Sequence, residues 1–120
     1  MDFAFENLDV YKKSVQWAAT VENLSKGLRS QASHSLIEQL TRAALSISLN
    51  IAEGNGRWLK AEKRQFLFIA RGSTFECVPI LQVLRTNNLI EETKYVEFRS
   101  NLIEIGKMIN GLLKSIEKLN

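Results

Sequence analysis

The chain has 120 residues, 45% of them hydrophobic, with six glycines, one proline, one cysteine and a net charge of +3. That length fits a single domain, 1–120, and that composition excludes a disordered chain, a disulfide scaffold and a multi-cysteine metal site. Charges interrupt the apolar runs, so no membrane span is expected; the acidic start, Asp2 to Glu6, lacks the basic segment of a secretory signal, and the expected compartment is the cytoplasm.

Four helical segments are predicted in chain order. The first covers about Leu8 to Lys26, where Leu8, Tyr11, Val15, Ala18, Ala19, Val21 and Leu24 recur at three- and four-residue steps, with Asn7 as cap and Gly27 as stop. The second covers about His34 to Glu53, capped by Ser33. Leu36, Leu40, Ala43, Ala44, Ile47 and Ile51 form its stripe, Leu45 and Leu49 widen it, and Gly54 and Gly56 end it. The third covers about Ala61 to Arg85, with Phe66, Phe68, Ile69, Ala70, Phe75, Val78, Leu81 and Leu84 on its apolar side. Pro79 lies inside it, where the missing amide and the clash with the carbonyl of Phe75 predict a bend. The fourth covers about Glu91 to Leu119, with Tyr95, Phe98, Leu102, Ile105, Ile109, Leu112 and Ile116 at helical spacing.

Four such helices with short links predict an all-α fold, an antiparallel up-down-up-down four-helix bundle. The third and fourth helices are apolar over more of their circumference than one core needs. Trp17, Trp58, Leu59, Phe68 and Ile103 are therefore candidates for a second buried surface, and a homo-oligomer is expected, with Trp17, Trp58 and Leu59 as the interface candidates.

The charge is unevenly placed. Residues 1–57 carry six basic and six acidic side chains, and residues 58–120 carry ten and seven. Arg57, Lys60, Lys63, Arg64 and Arg71 are the candidate contacts to RNA or another anion, since a localised basic surface attracts phosphate and several copies multiply the effect. Arg57 and Lys60 together are the narrower candidate for a single anion, with Arg57 alternatively closing over the carbonyls at the end of the second helix. Trp58 suits stacking on a base or anchoring an interface.

Antiparallel packing with a turn at Trp58 and Leu59 sets Arg42 level with Glu76, Ser46 with Gly72, Asn50 near Phe68, and Glu53 near Arg64 or Gln65. Arg42, Asn50, Glu53 and Glu76 thus read as structural polar groups: a partly buried Arg42–Glu76 ion pair, a close helix contact at Gly72, and hydrogen bonds from Asn50 either across the helices or to carbonyls near the helix end. The residues do not favour an enzyme. Glu38, Glu53, Glu76 and Glu104 lack a histidine at the step a two-metal bundle uses, Cys77 has no base partner, and His34 reads as solvated. No cofactor is expected.

The chain resembles the four-helix-bundle family of 23S rRNA intervening-sequence proteins, which includes the accessory variability protein of diversity-generating retroelements. The resemblance rests on Phe5, Leu8, Val10 and Tyr11, and most of all on Leu36, Gln39, Arg42, Ala43, Ser46, Ile47 and Asn50-Ile51-Ala52-Glu53-Gly54 with Gly56-Arg57. Phe66, Ile69-Ala70-Arg71-Gly72-Ser73 and Glu76 continue it. It implies a homopentamer with no enzymatic activity. The retroelement members imply distributed Lys and Arg that bind a reverse transcriptase and its template RNA. A structural or adaptor oligomer that binds a protein partner is the alternative. Trp58-Leu59 stands where members often carry small or polar residues, so the third helix is expected to start on packing more than on a side-chain cap.

Overall fold

The computed structural model describes residues 3–119. A single 3₁₀ turn, Ala4–Asn7, leads into α1 (Asp9–Leu28), α2 (His34–Asn55), α3 (Lys60–Thr86) and α4 (Glu92–Glu117). Each helix packs antiparallel on the next, and α1 closes the bundle more thinly against α4, giving a rod of 50 × 26 × 21 Å. The up-down-up-down bundle read from the sequence is the fold.

The core is a set of seams at alternating three- and four-residue steps, the spacing by which long helices interdigitate. On α2 the seam is Leu40, Ala44, Ile47, Ile51 and Gly54; on α4 it is Tyr95, Phe98, Leu102, Ile105, Ile109, Leu113 and Ile116. Both largely match the predicted stripes. On α1 the inward positions are Val10, Ser14, Trp17, Val21, Ser25 and Leu28, and Val15 faces out. On α3 they include Leu67, Ala70, Thr74, Cys77, Leu81 and Leu84, while Phe68, Ile69 and Phe75 are exposed. Here the predicted faces are rotated from the observed ones. The reason is that Ser14, Ser25, Thr74 and Cys77 occupy seam positions and hide the pattern. Ser14 donates to Tyr11 O (2.7 Å) and Thr74 to Ala70 O (2.9 Å), so these hydroxyls are satisfied within their own helices and fit an apolar interior. Leu45 and Leu49, expected to widen the α2 stripe, are exposed.

The helix ends follow local chemistry. The Ser33 hydroxyl accepts from Leu36 N (3.2 Å), as expected of a cap. Asn7 is not the cap of α1; that position is Leu8, which has no side-chain bond. Gly27 does not stop α1 either. It adopts helical backbone, and the helix runs one residue further so that Leu28 reaches the core. Leu59 precedes α3 without a side-chain cap. α3 continues through Pro79, which is exposed on its outer side. It ends on Asn88 at φ 58°, with Leu89 N bonded to Leu84 O and Asn88 N to Arg85 O, both 2.9 Å. This is the left-handed ending that asparagine tolerates better than most residues.

One expectation of close approach moves. A Cβ added at Gly72 meets nothing within 4 Å, whereas one at Gly54 would lie 3.0 Å from Phe66 Cβ and 3.3 Å from Lys63 O. Gly54 is thus the place where α2 and α3 nearly touch. The membrane reading also needs correction: α3 is, by length and composition, apolar enough to cross a bilayer. Its inner half is packed in the bundle, and its apolar surplus lies on the outer half.

Candidate functional site

The α2–α3 turn and the end of α4 meet at one end of the rod. Arg57, Lys60, Lys63 and Arg64 gather there, each held by an oxygen of the protein. Lys60 Nζ donates to Glu117 O (3.1 Å) and Leu119 O (3.3 Å), so it caps the last turn of α4 at the negative end of the helix dipole. Arg64 Nη1 pairs with Glu117 Oε1 at 2.8 Å. Lys63 Nζ donates to Asn55 O at 3.1 Å, closing the end of α2. Arg57 Nη2 meets Glu53 Oε2 at 3.1 Å and its guanidinium lies 4.7 Å from the centre of the Phe66 ring.

These bonds decide three expectations. Arg57 is bonded to α2 and Lys60 to α4, so the two do not converge on one anion in this arrangement. The carbonyl at the end of α2 that Arg57 was expected to close is taken by Lys63. Glu53 pairs with Arg57, not with Arg64 or Gln65. Arg71 stands apart from the other four cations: it reaches Asn110 Oδ1 on α4 (3.0 Å) and lies over the Phe68 ring.

The two tryptophans part company. Trp58 is 94% exposed at the tip of the turn, with Leu59 59% exposed beside it. Trp17 is 2% exposed and is a core residue, so it is no candidate for an interface. Its ring meets Phe98 edge-on at 5.5 Å between centres, and its buried N–H, unpartnered among the described residues apart from the Cys77 thiol, lies next to that sulfur. Nothing in the composition marks which tryptophan is buried; the seam through Val10, Ser14, Val21 and Leu28 does.

The predicted polar residues of α2 and α3 are joined as fasteners. Arg42 pairs with Glu76, at the predicted level. The pair is exposed rather than partly buried, with 60% and 37% of the side chains accessible. Asn50 Nδ2 donates to Ser46 O (2.8 Å) and Ser46 Oγ (3.0 Å), and the Ser73 hydroxyl donates to Ser46 Oγ at 2.8 Å. The cross-helix bond is therefore made by Ser73, which the sequence reading passed over in favour of Gly72, one residue away. Ser25 and Thr41 make the corresponding hydroxyl contact between α1 and α2 at 3.2 Å.

Burial pushes the Cys77 thiol up to about 11, opposed in part by Trp17, so it is a neutral thiol at physiological pH and a poor nucleophile. His34 is exposed and lies 3.3 Å from Glu38. An apolar recess of about 190 Å³ opens at the basic end, walled by Leu8, Ile51, Leu67, Leu112 and Leu119, with Lys63 among its lining.

Long helices, hydroxyl fasteners between them and cations tying one helix end to the next define an antiparallel four-helix bundle. The model of the 23S rRNA-intervening sequence protein family matches residues 6–111, and the chain belongs to that family. A crystal structure of a protein of unknown function from the S23 ribosomal protein family of Bacteroides thetaiotaomicron has the same fold, with a TM-score of 0.83 at 27% identity over 88% of this chain and 98% of that one. No curated protein matches the chain.

Proposed function

We propose that this chain is a non-enzymatic, homo-oligomeric bundle of the cytoplasm that binds RNA, or an RNA–protein assembly such as a reverse transcriptase with its template, at its basic end. Five subunits is the number implied by the resemblance. The observation that carries the RNA reading is the gathering of Arg57, Lys60, Lys63 and Arg64 at the end of the rod whose turn also carries the exposed Trp58. Their present partners are accessible carboxylates and helix-end carbonyls. Exposed ion pairs of this kind contribute only about 0–1 kcal/mol, so phosphate oxygens can replace them at little cost. Trp58 offers a face on which a base stacks, worth about 1–3 kcal/mol per base. Repetition of this end in several copies raises affinity through counterion release.

The test is a titration of a labelled RNA hairpin across a salt series, followed by the anisotropy of the label. Binding that weakens steeply with salt and is weaker in Trp58→Ala is expected. Absence of binding at low salt ends the RNA part. A structural or adaptor role toward a protein partner is the second reading, favoured by the adjoining exposed Trp58 and Leu59. Charge reversal at Lys60, Lys63 and Arg64 separates the two, provided thermal melts are run alongside, because Lys60 and Arg64 also tie down the end of α4.

A further inference from the structure

The core is not filled to the end of the rod that carries Trp58. Gly54 takes the last seam position of α2, so that layer receives no side chain from α2. On the α1 side the chain offers Leu8, the residue before the helix begins. What remains is the recess of about 190 Å³, with Ile51, Leu67, Leu112 and Ile116 among its walls. A cavity of about 150 Å³ with walls of this kind holds benzene, so this one takes roughly six to eight carbon atoms.

The mouth of the recess is cationic. Lys63 lines it, and its Nζ is bonded to the carbonyl of Asn55, another wall residue, at 3.1 Å. Lys60 Nζ is bonded to the carbonyl of Leu119, a wall residue contributed by the end of the chain's last helix, at 3.3 Å. One ammonium group therefore stands over the end of α2 and the other over the end of α4. Both are met by carbonyls, and neither has an ion-pair partner among the described residues. The carboxylates nearest those helix ends are engaged elsewhere, Glu53 with Arg57 and Glu117 with Arg64. An ammonium has three N–H donors, so each lysine keeps donors beyond its carbonyl bonds. Ser115, exposed at the same recess, adds a hydroxyl.

We propose that this recess binds an alkyl carboxylate of medium chain length. The tail lies against Ile51, Leu67 and Leu112, and the carboxylate accepts from Lys63, with Lys60 and Ser115 beside it. Each half of the ligand answers a separate feature of the site. The aliphatic walls favour a tail that leaves water. The two ammonium groups without carboxylates favour a negative head, and charge-assisted hydrogen bonds hold it. A bare anion leaves the walls wet, and a neutral alkyl chain leaves the charge unmatched. The inference stands on the recess and its rim and depends on neither the RNA reading nor the homo-oligomer reading.

The experiment is calorimetric titration of the full chain at neutral pH with hexanoate, heptanoate, octanoate and 1-octanol. Affinity is expected to rise roughly fourfold with each methylene until the recess is full. Octanoate should bind about tenfold more tightly than 1-octanol. Lys63→Gln should close most of that margin. Ser115→Trp, which sets a ring in the mouth, should weaken both ligands, and circular dichroism melts confirm that the variants fold. A second measurement needs no variant: in methyl NMR of the wild type, octanoate should shift Leu67 and Ile116 and spare Leu40 at the far end of the rod. No heat and no shift at millimolar octanoate overturns the proposal. Equal affinity for octanoate and 1-octanol overturns the anionic head. Affinity that does not depend on chain length, or methyl shifts absent from Leu67 and Ile116, overturns the recess as the site.

Discussion

Ser73 of α3 donates its hydroxyl to the Ser46 hydroxyl of α2 at 2.8 Å, and Ser46 in turn accepts from Asn50. This short, half-buried chain sets the level of the two central helices. Ser73→Ala leaves Ser46 with Asn50 as its remaining partner. The expected loss is about 0.5–1.5 kcal/mol, read as a lower urea midpoint at unchanged m-value. A double-mutant cycle with Ser46→Ala should give a non-zero coupling; strict additivity would place the stabilisation elsewhere.

Gly54 and Gly27 are both helical glycines, yet alanine should act on them with opposite sign. At Gly54 the new methyl group meets Phe66 Cβ at 3.0 Å and a backbone oxygen at 3.3 Å. Overpacking of this kind costs about 1–3 kcal/mol, more than the gain in helix propensity. At Gly27 nothing lies within 4 Å, and alanine should stabilise by about 0.5–1 kcal/mol. Thermal melts of the two variants decide it.

The tryptophans should report their different surroundings. Trp17→Ala removes a buried ring from the α1–α4 contact with Phe98 and is expected to cost about 3–5 kcal/mol. Trp58→Ala should change stability by no more than about 0.5 kcal/mol. In fluorescence, the Trp58→Phe protein keeps a blue-shifted emission from Trp17. Equal accessibility of both rings to a neutral quencher would contradict the placement.

Cys77 gives the protein a pH dependence of known sign. Its thiol titrates at about 11 when folded, against an ordinary value of 9.0. Between those values the folded state holds a proton that the unfolded state has lost, so stability is intact below pH 9 and falls as pH rises toward 11. The slope cannot exceed about 1.4 kcal/mol per pH unit for one group. Subtracting the profile of Cys77→Ala isolates the contribution of this thiol. In the native protein at pH 8, alkylation of Cys77 should be far slower than in urea.

Arg42–Glu76 is exposed, so its double-mutant cycle should yield less than about 1 kcal/mol and shrink further in salt. A coupling of several kcal/mol would mean that the pair is shielded from water in solution, as assembly with another chain would do.

The sequence by itself determined four helices, their order and antiparallel course, the inward stripes of α2 and α4, the Ser33 cap and the level at which Arg42 meets Glu76. Those features are local or follow from chain reversal at a short turn, so spacing encodes them. Only the tertiary structure decided which side of α1 and α3 faces inward. A buried serine or threonine that bonds its own helix is, in a list of residue types, indistinguishable from an exposed one; Ser14 and Thr74, with Ser25 bonded across to Thr41, therefore masked the seams that carry Trp17 inward and leave Phe68 and Phe75 outside. The partners of Lys60 and Arg64 were hidden for another reason. They depend on where the end of α4 arrives, a separation of more than fifty residues along the chain for Lys60 and Arg64, and no pattern within a helix records that meeting.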